Sequence, residues 1–134
     1  MGLTTGPQEI IGNKTFTGKT KFKGKVEFKR ENWTEVTAFQ NSWVNYNSST
    51  TTTAAYVKDS FGFVHLKGTV KDGTVGDVAC FTLPIGYRIS KIARFPIVSN
   101  SLFGIVRIET DGAVKIVLGS NAYACLDGIT FYVG

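Results

Sequence analysis

The chain has 134 residues, 43% hydrophobic and 19% charged, with 10 Phe, 5 Tyr and 2 Trp, a composition that excludes intrinsic disorder and provides for one main core. Fifteen Lys and Arg against ten Asp and Glu leave a formal charge of +5, which raises nucleic acid or an anionic surface as a partner until the charge is located. No apolar run of about 18 residues occurs and no signal-like apolar stretch follows Met1, so no membrane insertion is expected.

Residues 1–13 are polar and contain Gly and Pro, with Ile10-Ile11 as the only apolar pair. They read as the end of a preceding segment, and the chain is expected to be the distal part of a longer protein. Lys14, Lys19, Lys21, Lys23, Lys25, Lys29 and Arg30 then face only Glu27, so this stretch carries +6 and the rest of the chain −1. Within it Phe16, Phe22 and Phe28 recur every six residues, with Gly18 and Gly24 between them. Even positions from 16 to 28 are apolar or small and odd positions are almost all Lys or Glu, the alternation of a β-strand with one apolar face. One such segment cannot bury its Phe face on itself. The alternation therefore predicts a neck over residues 1–32 in which three identical chains wrap Phe16, Phe22, Val26 and Phe28 about one axis. A hairpin packed on the chain's own body is the alternative, disfavoured because the alternation runs unbroken through both glycines. The same pattern removes nucleic acid as a partner, since aromatics that alternate away from the lysines cannot stack on bases the lysines hold.

From Trp33 onward the pattern becomes short strands divided by turn residues, and residues 33–134 are assigned to one head domain. Asp59-Ser60-Phe61-Gly62, Lys71-Asp72-Gly73, Pro84-Ile85-Gly86 and Asp111-Gly112 are the turn signals. Asp-Gly between Val106–Glu109 and Val114–Ile116 predicts a hairpin. In Phe63–Lys71 the inward set is Val64, Leu66, Gly68 and Val70, and the outward set is Phe63, His65, Lys67, Thr69 and Lys71. In the last strand Ile129, Phe131 and Val133 point inward against Thr130 and Tyr132. No helical periodicity is sustained. The fold class is all-β, a trimeric β-helical neck followed by an antiparallel barrel or sandwich of jelly-roll or Greek-key kind. Cys80 and Cys125 sit in apolar runs and read as reduced, buried thiols rather than a disulfide.

Catalytic patterns are sought and not found. Gly18-Lys19-Thr20 has the tail of a phosphate-binding loop, but position 13 is Asn where the motif needs Gly, and an alternating strand follows instead of a helix. His65 is the only histidine, which leaves no second imidazole for a metal pair or acid–base work; it is an ordinary exposed residue or a ligand contact. Glu109, Asp111 and Asp127 are the carboxylates to watch for sugar hydrolysis, with solvated hairpin tips as the simpler reading. No enzyme, metal or cofactor is expected. What remains is a binding surface of aromatic faces with polar rims, suited to sugar rings and protein contacts alike. The polar segment Asn45–Thr53 is either a binding loop or a solvated connector.

The stretch Thr5-Gly6-Pro7-Gln8-Glu9-Ile10-Ile11-Gly12-Asn13-Lys14-Thr15-Phe16-Thr17-Gly18 resembles the neck of receptor-binding tail proteins of phages that infect lactococci and related Gram-positive bacteria. Tyr56–Asp59, Gly62–Gly68, Leu83–Arg88 and Leu126–Phe131 are similar to the heads of such tail-fibre and baseplate proteins. The resemblance implies a homotrimer on the virion's tail tip, acting at the host cell surface. Its heads bind cell-wall saccharide, and its N-terminal side meets other phage baseplate or tail proteins. A structural baseplate or fibre subunit whose head docks another tail protein is the alternative. The family's saccharide cluster of Trp, His, Asp and Arg has no counterpart in motif spacing here. Trp43, Tyr46, Tyr56, His65, Arg88, Asn121 and Tyr123 are therefore the candidate saccharide contacts on residue chemistry alone.

Overall fold

The computed structural model describes residues 12–13, 15–27 and 30–134. From Thr34 the chain forms eleven strands: β1 (Thr34–Glu35), β2 (Val44–Asn45), β3 (Ala55–Lys58), β4 (Phe63–Lys67), β5 (Thr69–Lys71), β6 (Ala79–Thr82), β7 (Ala93–Ser99), β8 (Leu102–Ile108), β9 (Ala113–Leu118), β10 (Ala124–Cys125) and β11 (Thr130–Tyr132). They make a four-stranded sheet in the order β1-β3-β4-β11 and a seven-stranded sheet in the order β2-β5-β10-β7-β8-β9-β6. Every pairing is antiparallel. The fold is all-β, with no helix among the described residues and therefore none there that could cross a membrane.

Alternation places the core. Val64, Leu66 and Phe131 from the first sheet and Val70, Val106, Ile108, Val114 and Ile116 from the second belong to one apolar cluster, closed by Phe81, Leu83 and Leu126. The Asp111-Gly112 hairpin joins β8 to β9 as its residues demand, with Arg107 opposite Lys115 and Ile108 opposite Val114. Gly112 takes the left-handed φ of +91° that the turn needs. Both cysteines are free, Cys80 buried and Cys125 half-buried.

The run Phe63–Lys71 departs from its expected form at Gly68. There φ is +115°, and a Cβ would lie 2.4 Å from the Ala54 Cα, so only glycine fits. At this point the chain leaves the first sheet as β4 and enters the second as β5. Thr69, expected to face water, is buried, because the loop before β3 covers it: its amide donates to the Thr52 carbonyl at 3.0 Å and its carbonyl accepts from the Tyr46 amide at 2.9 Å.

In the basic segment the described residues 15–27 are all exposed and form no strand with any described part of the chain. Phe16, Phe22 and Val26 are 59%, 63% and 45% exposed, while Phe28 lies outside the described residues. The expected strand is thus missing from a single chain, and the reason is physical: a ladder needs a second strand, and the head supplies none. Gly12, Gly18 and Gly24 each have positive φ, at +81°, +75° and +87°, so the backbone repeats the six-residue period of the sequence. The segment meets the head at Glu31, whose carboxylate accepts the Tyr87 hydroxyl at 2.5 Å. Beside it Lys67 Nζ stands 4.3 Å from the Trp33 ring centroid.

Candidate functional site

Three of the seven candidate contacts meet at the end of the second sheet where β2, β5, β10 and β7 come together. Tyr46 leaves β2 and Tyr123 enters β10, and their rings meet edge to face at 5.6 Å and 64°. This geometry suits the positive edge of one ring against the negative face of the other. Lys71, at the end of β5, holds its ammonium 5.7 Å from the Tyr46 ring centroid. Asn121 is exposed, and its backbone carbonyl accepts from the Asp72 amide at 2.8 Å, which ties the loop before β10 to the turn after β5.

Buried Ser99 fixes this loop from below. Its hydroxyl oxygen accepts from the Ser120 amide at 2.8 Å and lies 2.9 Å from the Tyr123 carbonyl oxygen. The Tyr123 hydroxyl in turn accepts from the Ser101 amide at 2.8 Å and sits 3.1 Å from the Ser101 hydroxyl. Ser101 belongs to a two-residue hairpin turn between β7 and β8, with φ of +50° at Asn100 and +65° at Ser101. Positive φ at both central residues matches the right-handed twist of the flanking strands. On the other side Asn45 Oδ1 accepts from the Ala54 amide at 2.8 Å, and Asn47 holds Ser49 and Thr51 by side-chain and main-chain oxygens. The polar loop is thus an ordered wall beside Tyr46.

The result is an aromatic pair beside an ammonium, with the Tyr123 hydroxyl held by the Ser101 amide and the loop that carries Asn121 tied down through its backbone. It can stack an apolar ring face and hydrogen-bond its hydroxyl edge, which is the chemistry of a saccharide ring.

The other four candidates do not join it. Trp43 is a core residue, 1% exposed: its indole lies where any Cβ on Gly73 would fall, and its ring N–H donates to the Thr74 carbonyl at 3.2 Å. It presents no face to a ligand. Tyr56 packs edge to face on Tyr87 at 5.2 Å and lines a cleft with Glu35, Thr37 and Thr82. His65 is held at both ring nitrogens, 2.8 Å from Asp59 Oδ2 and 2.9 Å from Thr130 Oγ1, and thereby staples β4 to its own turn and to β11. That hydrogen bond, with the Phe63 and Phe61 amides, holds the Asp59 carboxyl below the usual range. Arg88 donates from Nε to the Leu83 carbonyl at 2.9 Å and braces the hairpin tip at Gly112.

The three carboxylates are likewise engaged separately. Glu109 accepts from Arg107 at 2.8 Å and pairs with Lys115 at 2.9 Å, and Asp77 bridges the same two cations. The hydrogen bond from Lys115 first, with Arg107, holds the Glu109 carboxyl below the usual carboxylate range. Asp111 caps its own turn through the Ala113 amide at 3.0 Å. Asp127 accepts from the Gly68 amide at 2.7 Å and so fixes the strand switch.

Lys71, Ser101 and Asp72 are the site residues that sequence reading missed. Asn100-Ser101 between two apolar runs was the available signal, since both residue types tolerate the left-handed turn. Comparison of the chain with protein-family models finds no match, and comparison with curated proteins finds none either.

Proposed function

We propose that this chain is the neck and head of a phage receptor-binding protein, a homotrimeric adhesin whose heads bind host cell-wall saccharide at Tyr46, Tyr123, Asn121 and Lys71. The observation that carries the trimer is the neck: a six-residue Phe repeat with positive-φ glycines in step, with Phe16 and Phe22 exposed in the single chain. Three copies give each Phe face its partners and place the lysines in water. The observation that supports saccharide is the aromatic pair with its hydrogen-bonding rim at one end of a rigid β head. Single-head contacts of this size are weak, and three heads on one neck multiply them by effective concentration. Attachment to the tail falls to the N-terminal side, and the reading needs no cofactor.

Binding of the full chain to cell-wall polysaccharide extracted from lactococcal and related Gram-positive cells tests this. Saturable binding that free polysaccharide competes away is expected. No binding to cells or polysaccharide, with tight binding to another tail protein, would sink the adhesin reading in favour of a structural fibre subunit.

A further inference from the structure

The head leaves several large apolar side chains in water, and one row of them crosses three strands. Val98, Leu102, Phe103 and Leu118 are 56%, 73%, 62% and 48% exposed. Strand register places Val98 opposite Phe103, and Ile105 opposite both Pro96 and Leu118. Opposed residues share a face, as do residues two apart, so Val98, Phe103, Ile105 and Leu118 lie on the outer side of the seven-stranded sheet, while Leu102, opposite Ser99, stands at the sheet's end on the other face. Leu102, Phe103 and Leu118 also rim a hollow of about 260 Å³. Charge returns to this face only farther along, at Arg94, Arg107 and Lys115. Scattered apolar residues on a surface are ordinary, whereas a continuous row across three strands marks a contact.

We propose that this row is covered by a second copy of the chain, as the head-to-head contact of the trimer; the inference rests on the trimeric neck proposed above. Three observations select a second copy. The neck leaves a matching unburied row in Phe16, Phe22 and Val26, so one assembly covers both. Residues 33–134 carry eight basic and seven acidic side chains, so copies of the head meet without net repulsion. Val98, Phe103 and Leu118 also fall short of the roughly 800 Å² per partner that a free-standing complex buries. The contact therefore suits heads already tethered by the neck rather than an untethered partner.

Hydroxyl-radical footprinting of the full chain, with light scattering on the same sample, tests the proposal. A trimer is expected in which Phe103 and Leu118 are oxidised several-fold more slowly than Ile85 and Tyr132, which are 85% and 59% exposed in the single chain. Each rate is normalised to the unfolded chain. Releasing the chains with Phe22→Lys restores fast oxidation at Phe103 and Leu118. A trimer whose Phe103 reacts as fast as Tyr132 overturns the head contact and leaves the neck standing, while a single-chain mass for the unaltered protein overturns both. Protection that persists in single chains overturns the second copy as occupant. Phe103→Asp changes an exposed side chain, so the head folds and the trimer dissociates at a several-fold higher protein concentration; unchanged dissociation overturns the contact.

Discussion

Neck and head use the same strand alternation and reach opposite outcomes. In the head, Val64, Leu66 and Phe131 alternate inward and find a second sheet of their own chain, so they are buried. In the neck, Phe16 and Phe22 alternate as strictly and stay exposed, because none of the described residues forms a second layer over them. Alternation thus specifies which face seeks cover without specifying what covers it. Where the chain folds back within a few dozen residues the cover is internal, and for the charged segment the proposed trimer would supply it.

The widest separation between the regions is expected from Phe22→Lys. It places three ammonium groups on the proposed axis, where an isolated charge costs more than neighbouring contacts offset. Light scattering should show single chains while the near-ultraviolet circular dichroism of the head is unchanged. A persistent trimer breaks the Phe-inward neck.

The converse change is Phe81→Ala in the head, at a side chain 2% exposed. Truncating a fully buried Phe costs about 3–5 kcal/mol through lost transfer energy and the cavity left behind. The denaturant midpoint should fall accordingly at unchanged mass in native buffer. A loss below about 1 kcal/mol would mean that the core repacks, and the contrast between a self-sufficient head and a dependent neck would weaken.

Legibility in the sequence follows the same divide. The β8–β9 hairpin, the inward sets of β4 and β11 and the free cysteines were readable because each depends on local turn chemistry or a two-residue period. The fate of Thr69 was not, since Gly68 turns the chain into another sheet and a loop distant in sequence lies over the result. Nor was the site: Tyr46 and Tyr123 are 77 positions apart in the sequence and meet only because β5 and β10 pair. Trp43 shows the limit most plainly, because an aromatic beside Asn41, Ser42 and Asn45 reads as a surface ring until Gly73 provides the gap that buries it.

Within the head, Tyr46→Ala sharpens the difference between stacking residues and scaffold. Tyr46 is 37% exposed and packs on Tyr123, so its loss should cost about 1 kcal/mol of stability, well below the cost of Phe81→Ala. Removing one stacking face is worth about 1.4 kcal/mol, or roughly tenfold in affinity per head, in titrations with wall polysaccharide fragments. Equal affinity in the variant moves the site away from the Tyr46–Tyr123 pair.

The smallest effect is expected where the two regions join. Tyr87 is pushed up to about 12 by its hydrogen bond to Glu31, with burial and the Glu31 charge adding to it. An unfolded tyrosine loses its proton near 10, so the folded chain holds this proton more tightly. That contribution is complete below pH 10 and is lost as pH rises through 10 toward 12. Of the five tyrosines, one should ionise late in an absorbance titration at about 295 nm, and Tyr87→Phe should remove that late step. Glu31→Gln keeps an acceptor but deletes the charge, so the late step should move earlier without vanishing. A late step untouched by either change would place its cause elsewhere, and the Glu31–Tyr87 bond would no longer count as the tie that makes the junction alkali-sensitive.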